Sequence, residues 1–399
     1  MAKQKNYKKT LIACYLGFVT QAISANFAPL LFLTFKSVYG ITLEKIAMIP
    51  LVFYFSQFLI DLAATKFADK IGYRTCVVVS QILSAVGLAS MAFLPELFSA
   101  SFAGMLVSVV LYAIGSGLIE VLVSPIVEAC PFENKDGVMS LLHSFYCWGA
   151  LGVILGSTLF FAIFGVENWK VLTIVWALVP LYNTFNFINC PIERLVEEGQ
   201  SMRIGQLLRL PLFWIIIILM VCSGASEATM AQWASAFTES ALGVSKTVGD
   251  LAGPGLFAMF MGVSRMLYGK FSAKFDLTRV MLICGAMCAG CYLLAALSTA
   301  PILGLMGCAL CGLAVGIMWP GSISISSRKC PRGGTAMFAF LALAGDFGAM
   351  VSPAVVGSFS EMAGGDLKTG LFAATVFPVV LVLELLILKK KGSKADVMS

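Results

Sequence analysis

One acidic residue lies in the middle of a long apolar stretch, where a charge is costly. Glu120 is the only charged residue between Ala100 and Pro125, and this stretch is long enough to cross a bilayer as a helix. Polar sequence resumes between Glu128 and Pro131, which places Glu120 roughly 12–16 Å from the end of the span, near the midplane. A carboxyl group there costs several kcal/mol unless it is protonated or faces a polar cavity. We therefore expect Glu120 to be a proton site; the alternative is a structural acid bonded to a neighbouring helix.

Two further titratable residues lie in apolar segments and are candidates for proton coupling beside Glu120. Asp346 is about 12 residues into its segment, which the helical rise places near mid-depth. His143 lies near the beginning of another segment, and an imidazole can relay protons because it titrates near neutral pH. A single histidine is equally compatible with a packing role.

Uncharged polar and aromatic side chains in the apolar segments could bind a solute. Amide groups offer hydrogen bonds, and indole rings offer flat faces on which a sugar ring or an organic cation could rest, although core packing and interfacial belts also use tryptophan. Cations are scarce within the segments, which disfavours anionic substrates because these call for arginine. The candidate substrate-binding residues are Gln21, Asn26, Gln57, Trp148, Glu227, Gln232, Trp233 and Trp319.

These residues have to be positioned by membrane helices. The chain has 399 residues, of which 59% are hydrophobic and 12% charged, a composition that excludes a soluble domain. No signal peptide is visible. Short turns with glycine, proline or charge separate twelve apolar segments of spanning length, at about 11–34, 44–65, 75–94, 100–125, 139–164, 169–189, 211–235, 246–268, 279–298, 301–324, 335–358 and 369–388. The sequence predicts an all-α membrane protein with twelve transmembrane helices.

The basic residues predict the orientation. Of the 27 Lys and Arg residues, 22 lie on the side of the two termini, so the positive-inside rule places both termini in the cytoplasm. The net charge of +6 therefore reflects topology, and we expect no nucleic-acid partner. We expect a multi-pass protein of the plasma (inner) membrane that works as a monomer.

An internal repeat predicts two pseudo-symmetric six-helix bundles. Gly117-Leu118 followed by Pro125 recurs as Gly312-Leu313 followed by Pro320, offset by 195 residues, and two weaker matches have offsets of 196 and 203. Repeated halves are the architecture of secondary transporters. The predicted domains are residues 1–190, a cytoplasmic connector at 191–210 that could include a short amphipathic helix, and residues 211–399.

Other chemistry is not supported. Cys288-x2-Cys291 and Cys308-x2-Cys311 have the spacing of a zinc ribbon, but both pairs lie in apolar spans without the loops such a site needs. We expect no metal and no structural disulfide. A dinucleotide loop and a P-loop are absent from the sequence. We therefore expect no cofactor and no enzymatic activity.

The turn between the second and third segments resembles the signature of the major facilitator superfamily, Gly-x3-Asp-Arg/Lys-x-Gly-x-Arg/Lys. The residues that match this signature are Asp69, Lys70, Gly72 and Arg74, and Thr65 stands where the signature has its first glycine. In the family this loop helps to control closure of the cytoplasmic side, so the resemblance implies a gating role for the matching residues. Arg265 stands at the position in the second half that is equivalent to Asp61, and the sequence leaves open whether the two pair. The gating candidates are Asp61, Asp69, Lys70, Gly72, Arg74 and Arg265.

Three stretches are similar to the fucose–glucose–galactose permease branch of that superfamily. They are Gly117 to Pro125, Leu142 to Gly152, and Gly224 to Trp233. The branch has an acid in the fourth segment that is linked to proton coupling, which Glu120 matches. It has asparagine before the proline, where this chain has Ser124.

The resemblance implies proton-coupled symport of a small neutral polar solute, such as a sugar, by alternating access. Proton-driven export of lipophilic or cationic compounds is the alternative reading. A sensor or assembly partner without transport activity is a third.

Overall fold

A computed structural model of the chain describes residues 6–41, 43–193, 202, 204–242 and 251–395. The described residues are almost entirely helical and include no strand. The long helices are α1 (Tyr7–Asn26), α2 (Leu43–Ile71), α3 (Tyr73–Ser90), α4 (Ser101–Glu128), α5 (Lys135–Phe164), α6 (Trp169–Asn189), α7 (Pro211–Leu242), α8 (Leu256–Phe271), α9 (Leu277–Leu297), α10 (Pro301–Val315 and Met318–Lys329), α11 (Gly334–Met362) and α12 (Leu367–Ala374 and Val376–Ala395).

Short helical pieces connect some of these helices. A 3-10 turn (Ala28–Leu31) and a short helix (Phe32–Tyr39) follow α1, and a π-helical turn (Leu251–Gly255) that contains Pro254 precedes α8. The remaining pieces are Leu94–Leu97, Val166–Asn168, Ile204–Leu207 and Ser272–Lys274. Most of the predicted connector, residues 194–201 and 203, lies outside the described residues.

Ten of the described helices are long and apolar enough to cross a membrane. Helix α2 contributes a shorter apolar stretch, Met48–Ala64, and α8 has 16 residues. The prediction of an all-α, twelve-helix membrane architecture is confirmed.

Local sequence signals explain several helix boundaries. Asn6, Asp276 and Asp366 accept hydrogen bonds from backbone N–H groups in the first turns of α1, α9 and α12, as N-cap residues do. Gly72 alone separates α2 from α3, with φ +93°, a conformation that residues with a Cβ rarely adopt. This turn therefore requires glycine at position 72.

The described residues form two compact units. The first consists of the described residues within 1–131, 145–200 and 334–339. Within it, α4 packs against α1, α2 and α3, and α3 also packs against α6. Its apolar core includes the fully buried side chains of Phe27, Phe35, Tyr112 and Trp169.

The second unit consists of the described residues within 132–144, 201–333 and 340–399. Within it, α10 packs against α7, α8 and α9, and α12 packs against α7 and α9. Helix α10 is interrupted at Gly316 and Ile317. Pro320 has no N–H group, so it cannot supply the helical hydrogen bond to the carbonyl of Gly316 four residues earlier.

Candidate functional site

Glu120 is the centre of a polar cluster in the first unit. Its side chain lies on α4, and its Oε2 atom accepts a hydrogen bond from Gln21 Nε2 on α1 at 2.6 Å. The same oxygen also accepts a hydrogen bond from Gln57 Nε2 on α2. Gln21 and Gln57 are buried and Glu120 is half-buried. The structure therefore brings together one predicted proton site and two predicted substrate-binding residues, from three helices.

Gly117, one turn before Glu120, makes room for this cluster. A Cβ atom at Gly117 would lie 2.4 Å from Ile60 Cγ2, 2.9 Å from Asp61 Oδ1 and 3.1 Å from Gln57 Cγ. Any larger residue would therefore displace these side chains of α2. The carboxyl group of Asp61 is fully buried and thus lies beside the Glu120 cluster. It is a second acidic group in the same unit.

A buried ion pair lies in the second unit. Arg265 Nη2 on α8 donates to Glu227 Oε2 on α7 at 2.8 Å, and the two side chains are 3% and 18% exposed. Arg265 Nε donates to the Gly316 carbonyl at 2.8 Å, the acceptor that Pro320 leaves without a helical partner. The guanidinium group therefore ties α7 and α8 to the interruption in α10.

The same arginine contacts the beginning of α5, which belongs to the second unit. Arg265 Nη1 donates to the His143 carbonyl at 3.1 Å, and Ser140 Oγ donates to the Arg265 carbonyl at 2.7 Å. The His143 side chain is buried. Nearby, Asn134 and Ser272 exchange side-chain hydrogen bonds of 2.8 and 3.0 Å.

The remaining predicted residues of the second unit lie in two other places. Asp346 on α11 is 7% exposed. The Trp319 ring packs against the preceding residue, Gly345, where an added Cβ would lie 2.2 Å from the ring. Trp233 Nε1 donates to the Pro353 carbonyl at 3.2 Å, which joins α7 to α11. The side chain of Gln232 lies outside the described part of the structure.

Asn26 and Trp148 are described in the first unit. Asn26 Nδ2 donates to the Ala22 carbonyl of its own helix at 2.9 Å, and both side chains are half-buried.

Arg74 in the predicted gating loop binds the end of α6. Its guanidinium group donates to the carbonyls of Phe187, Ile188 and Cys190 at 2.8, 2.6 and 2.8 Å. A cation at this position also complements the helix dipole. Lys70 is exposed, and the side chain of Asp69 lies outside the described part of the structure.

The four cysteines with zinc-like spacing lie on α9 and α10, and all four are buried. The Sγ atoms of Cys288 and Cys311 are 3.8 Å apart. No group of three or more His, Cys, Asp or Glu side chains that could hold a metal ion occurs in the residues that the structure describes.

Sequence reasoning missed a second polar cluster, on α1, α3 and α4. Thr20 donates to Gln81, Ser84 Oγ lies beside Gly115 of α4, and Ser116 is the next residue of α4; all four polar side chains are fully buried. The recurrence of polar residues at Ser80, Gln81 and Ser84 within an apolar helix was the available signal. Small hydroxyl residues also mediate ordinary helix packing in membranes, so the pattern alone does not single them out.

Comparison with known proteins agrees with this architecture. Residues 13–353 match the Major Facilitator Superfamily. The chain belongs to this superfamily of membrane transporters.

One characterised relative from the superfamily shows similarity over part of its length. The L-fucose-proton symporter of Escherichia coli (strain K12) is 26% identical over 150 residues, which is 37% of this chain and 34% of the symporter. The match thus spans about a third of that protein.

Solved structures from the superfamily share the fold over nearly the whole chain. The Escherichia coli fucose:proton symporter FucP has a TM-score of 0.79 at 15% identity, covering 95% of this chain and 98% of FucP. The proton:xylose symporter XylE has a TM-score of 0.81 at 12% identity, covering 94% of each chain. The human organic anion transporter MFSD10 has a TM-score of 0.74 at 15% identity, covering 96% of this chain and all of MFSD10. At these identities the likeness establishes the fold.

Proposed function

We propose that this protein is a proton-coupled symporter that carries a small neutral polar solute, such as a sugar, by alternating access. It works as a monomer in the plasma (inner) membrane, with both termini in the cytoplasm. The named sugar–proton symporters among its relatives and structural neighbours support this reading.

The hydrogen bonds to Glu120 carry the proposal. Two uncharged amide groups, Gln21 and Gln57, donate to one carboxylate oxygen. Hydrogen bonds to a carboxylate are roughly twice as strong as those between neutral groups. Proton binding at Glu120 therefore weakens the bonds that tie α1 and α2 to α4 and releases the amide groups for a solute. In this way one titratable residue links protonation to solute binding; His143 and Asp346 are further candidates for the proton path.

Charge compensation in the second unit favours a neutral solute. Glu227 and Arg265 neutralise each other in their ion pair, so Glu227 offers no net negative charge to a cation. The amides and the rings of Trp148, Trp233 and Trp319 supply hydrogen bonds and flat apolar faces, which are the contacts that a sugar uses.

The contacts at the beginning of α5 support a gate. Ser140 and His143 bind Arg265 on α8, Asn134 binds Ser272 just after α8, and Asp136 forms an ion pair with Arg328 on α10. In alternating access such contacts form in one state and break in the other, so they set the balance between states. We assign Arg265 to this gate, together with Asp61 and the loop residues Asp69, Lys70, Gly72 and Arg74.

Export of lipophilic or cationic compounds is the second candidate. One observation favours it: the acidic Asp346 follows Gly345, against which the Trp319 ring packs. A buried acid on a helix that packs against an indole supplies the two features that organic cations bind, a negative charge and an aromatic face. If this is the function, cells that express the protein resist toxic cations, and Asp346→Asn abolishes that resistance.

A ligand-stabilisation screen tests the substrate class. The purified protein in detergent is heated with hexoses, pentoses, polyols or lipophilic cations, and the unfolding midpoint is recorded. A ligand that binds the folded state stabilises it by about 2.7 kcal/mol at a hundredfold excess over Kd, so a true solute raises the midpoint measurably.

We expect a neutral sugar or polyol to raise the midpoint of the wild type and of Gln206→Leu, a matched change at an exposed glutamine. Gln21→Leu abolishes that rise. Stabilisation by cations alone, or a sugar response that Gln21→Leu leaves intact, contradicts the proposal.

A further inference from the structure

A fully buried polar cluster lies inside the first unit, next to the Glu120 site. Thr20 on α1, Gln81 and Ser84 on α3, and Ser116 on α4 each have 0% exposure. Thr20 Oγ1 donates to Gln81 Oε1 at 3.1 Å. Three of the four therefore lie on the two helices that form the most extensive contact in this unit.

Three polar atoms of this cluster lack a protein partner. Gln81 Nε2, Ser84 Oγ and Ser116 Oγ make no hydrogen bond to any group in the described residues. Leaving one such buried group unsatisfied costs about 1–3 kcal/mol, and native proteins avoid this cost by placing ordered water at such groups. Three orphaned atoms on facing helices thus point to a ligand with both donor and acceptor capacity.

The second half of the chain provides a comparison at the same positions. Helices α3 and α9 begin 204 residues apart, at Tyr73 and Leu277, and the motif repeated in α4 and α10 has an offset of 195. These offsets align Ser84 with Cys288 and Ser116 with Cys311. The two thiols are in contact at 3.8 Å and are buried.

In the second half, α9 and α10 therefore pack at these positions through two thiols, which are weak hydrogen-bonding groups. Close packing alone does not require two hydroxyl groups in the first half. The serine hydroxyls and the Gln81 amide add hydrogen-bonding capacity that the second half lacks at these positions.

The cluster also adjoins the proton site. Ser116 precedes Glu120 by four residues on α4, a spacing that places side chains on one face at roughly 5–6 Å between Cβ atoms. Thr20 precedes Gln21, whose amide donates to Glu120 at 2.6 Å. The spacing along α4 and along α1 therefore places Ser116 one helical turn from Glu120 and Thr20 next to one of its hydrogen-bond donors.

We propose that Thr20, Gln81, Ser84 and Ser116 bind ordered water inside the first unit, and that this water delivers the proton to Glu120. Gln81 Nε2 donates to the water oxygen, and the water donates one hydrogen bond to a serine hydroxyl and the other to Glu120. In the transfer step the water gives that proton to the carboxylate and accepts one from a hydronium ion of the aqueous phase, which becomes water, so the bound water is left unchanged. The delivery role rests on the proposed function, whereas the water site does not.

Infrared difference spectroscopy tests the water site. Spectra of the purified protein are recorded between acidic and alkaline buffer, in ordinary water and in oxygen-18 water. A buried water gives an O–H stretching band that shifts with the isotope. We expect this band in the wild type and its loss in the double variant Ser84→Cys/Ser116→Cys, which introduces the residues that the second half has at these positions.

A matched control and a second variant separate this effect from disturbed packing. Ser108→Cys alters the same helix pair where Ser90 Oγ donates to Ser108 Oγ at 2.9 Å, and it retains the band. Gln81→Met removes the amide donor without changing either serine, and it loses the band. No isotope-sensitive band in the wild type, or a band that persists in both the double variant and Gln81→Met, overturns the water site.

The delivery of the proton to Glu120 is tested by separate measurements. The carboxyl band that disappears in Glu120→Gln reports titration of Glu120, and its absence from the wild type contradicts the proposed function while leaving the water band unaffected. In proteoliposomes the double variant should lose most proton-driven uptake and keep solute exchange. Full uptake in a variant without the water band shows that the water does not deliver the proton.

Discussion

Replacing Arg265 by methionine should destabilise the second unit strongly. Methionine retains the apolar volume of the side chain, but it removes the ion pair with Glu227 and the bonds to the carbonyls of Gly316 and His143. Removing one partner of a buried ion pair costs about 3–5 kcal/mol, because the other charge stays buried without compensation. The Gly316 carbonyl also loses a donor that Pro320 cannot replace. We therefore expect Arg265→Met to lower the free energy of unfolding by about 3–5 kcal/mol.

The assay is reversible unfolding in mixed micelles with increasing denaturing detergent, followed by circular dichroism. The double variant Glu227→Gln/Arg265→Met removes the Glu227 carboxylate that Arg265→Met leaves without its ion-pair partner, so it should be more stable than Arg265→Met alone by about 1–3 kcal/mol. Arg265→Lys retains the charge but not the several N–H donors of the guanidinium group, so its free energy of unfolding should lie between those of the wild type and Arg265→Met. A loss below about 1 kcal/mol for Arg265→Met, or additive effects of the two single substitutions, would refute the reasoning.

Two further predictions concern helix contacts within single units. Gly224→Ala places a Cβ 2.1 Å from the Gly345 carbonyl oxygen and should lower the free energy of unfolding by about 1–3 kcal/mol through overpacking. Gly290→Ala, whose added Cβ has nothing within 4 Å, should leave the stability unchanged in the same assay. Equal effects of the two substitutions would contradict the overpacking. Arg74→Gln removes three hydrogen bonds to the end of α6 and should speed proteolysis after Cys190, while Lys70→Gln should leave the digestion rate unchanged. Identical digestion rates of the two variants would contradict the role of Arg74.

Much of the fold was predictable because membrane helices leave a strong local signal. Spanning lengths and the cost of Glu120 in an apolar segment follow from the bilayer, and the turn at Gly72 follows from the conformational freedom of glycine. The interruption of α10 is harder to predict, since Pro125 lies inside the continuous helix α4 although Pro320 stands at its repeat position. Whether a proline breaks a helix depends on the tertiary partner of the freed carbonyl, here Arg265 at Gly316.

The partners of the site residues could not be read from the sequence. Each residue turns a helix by roughly 100°, so which side chain meets Arg265 depends on helix rotation and crossing. The structure shows the pair with Glu227. Gln21 and Gln57 are 36 positions apart in the sequence, and no spacing rule indicates that both donate to one oxygen of Glu120.

Transport in proteoliposomes tests the central claim, that Glu120 couples proton movement to solute movement. Accumulation of the stabilising solute is driven by an imposed pH gradient, and exchange of the same solute is measured without one. Glutamine retains the shape and hydrogen bonding of Glu120 but cannot titrate.

We predict that Glu120→Gln abolishes accumulation and retains exchange. Glu96→Gln, a matched change at an exposed acid, should retain both. Gradient-driven accumulation by Glu120→Gln at the wild-type level would contradict the claim.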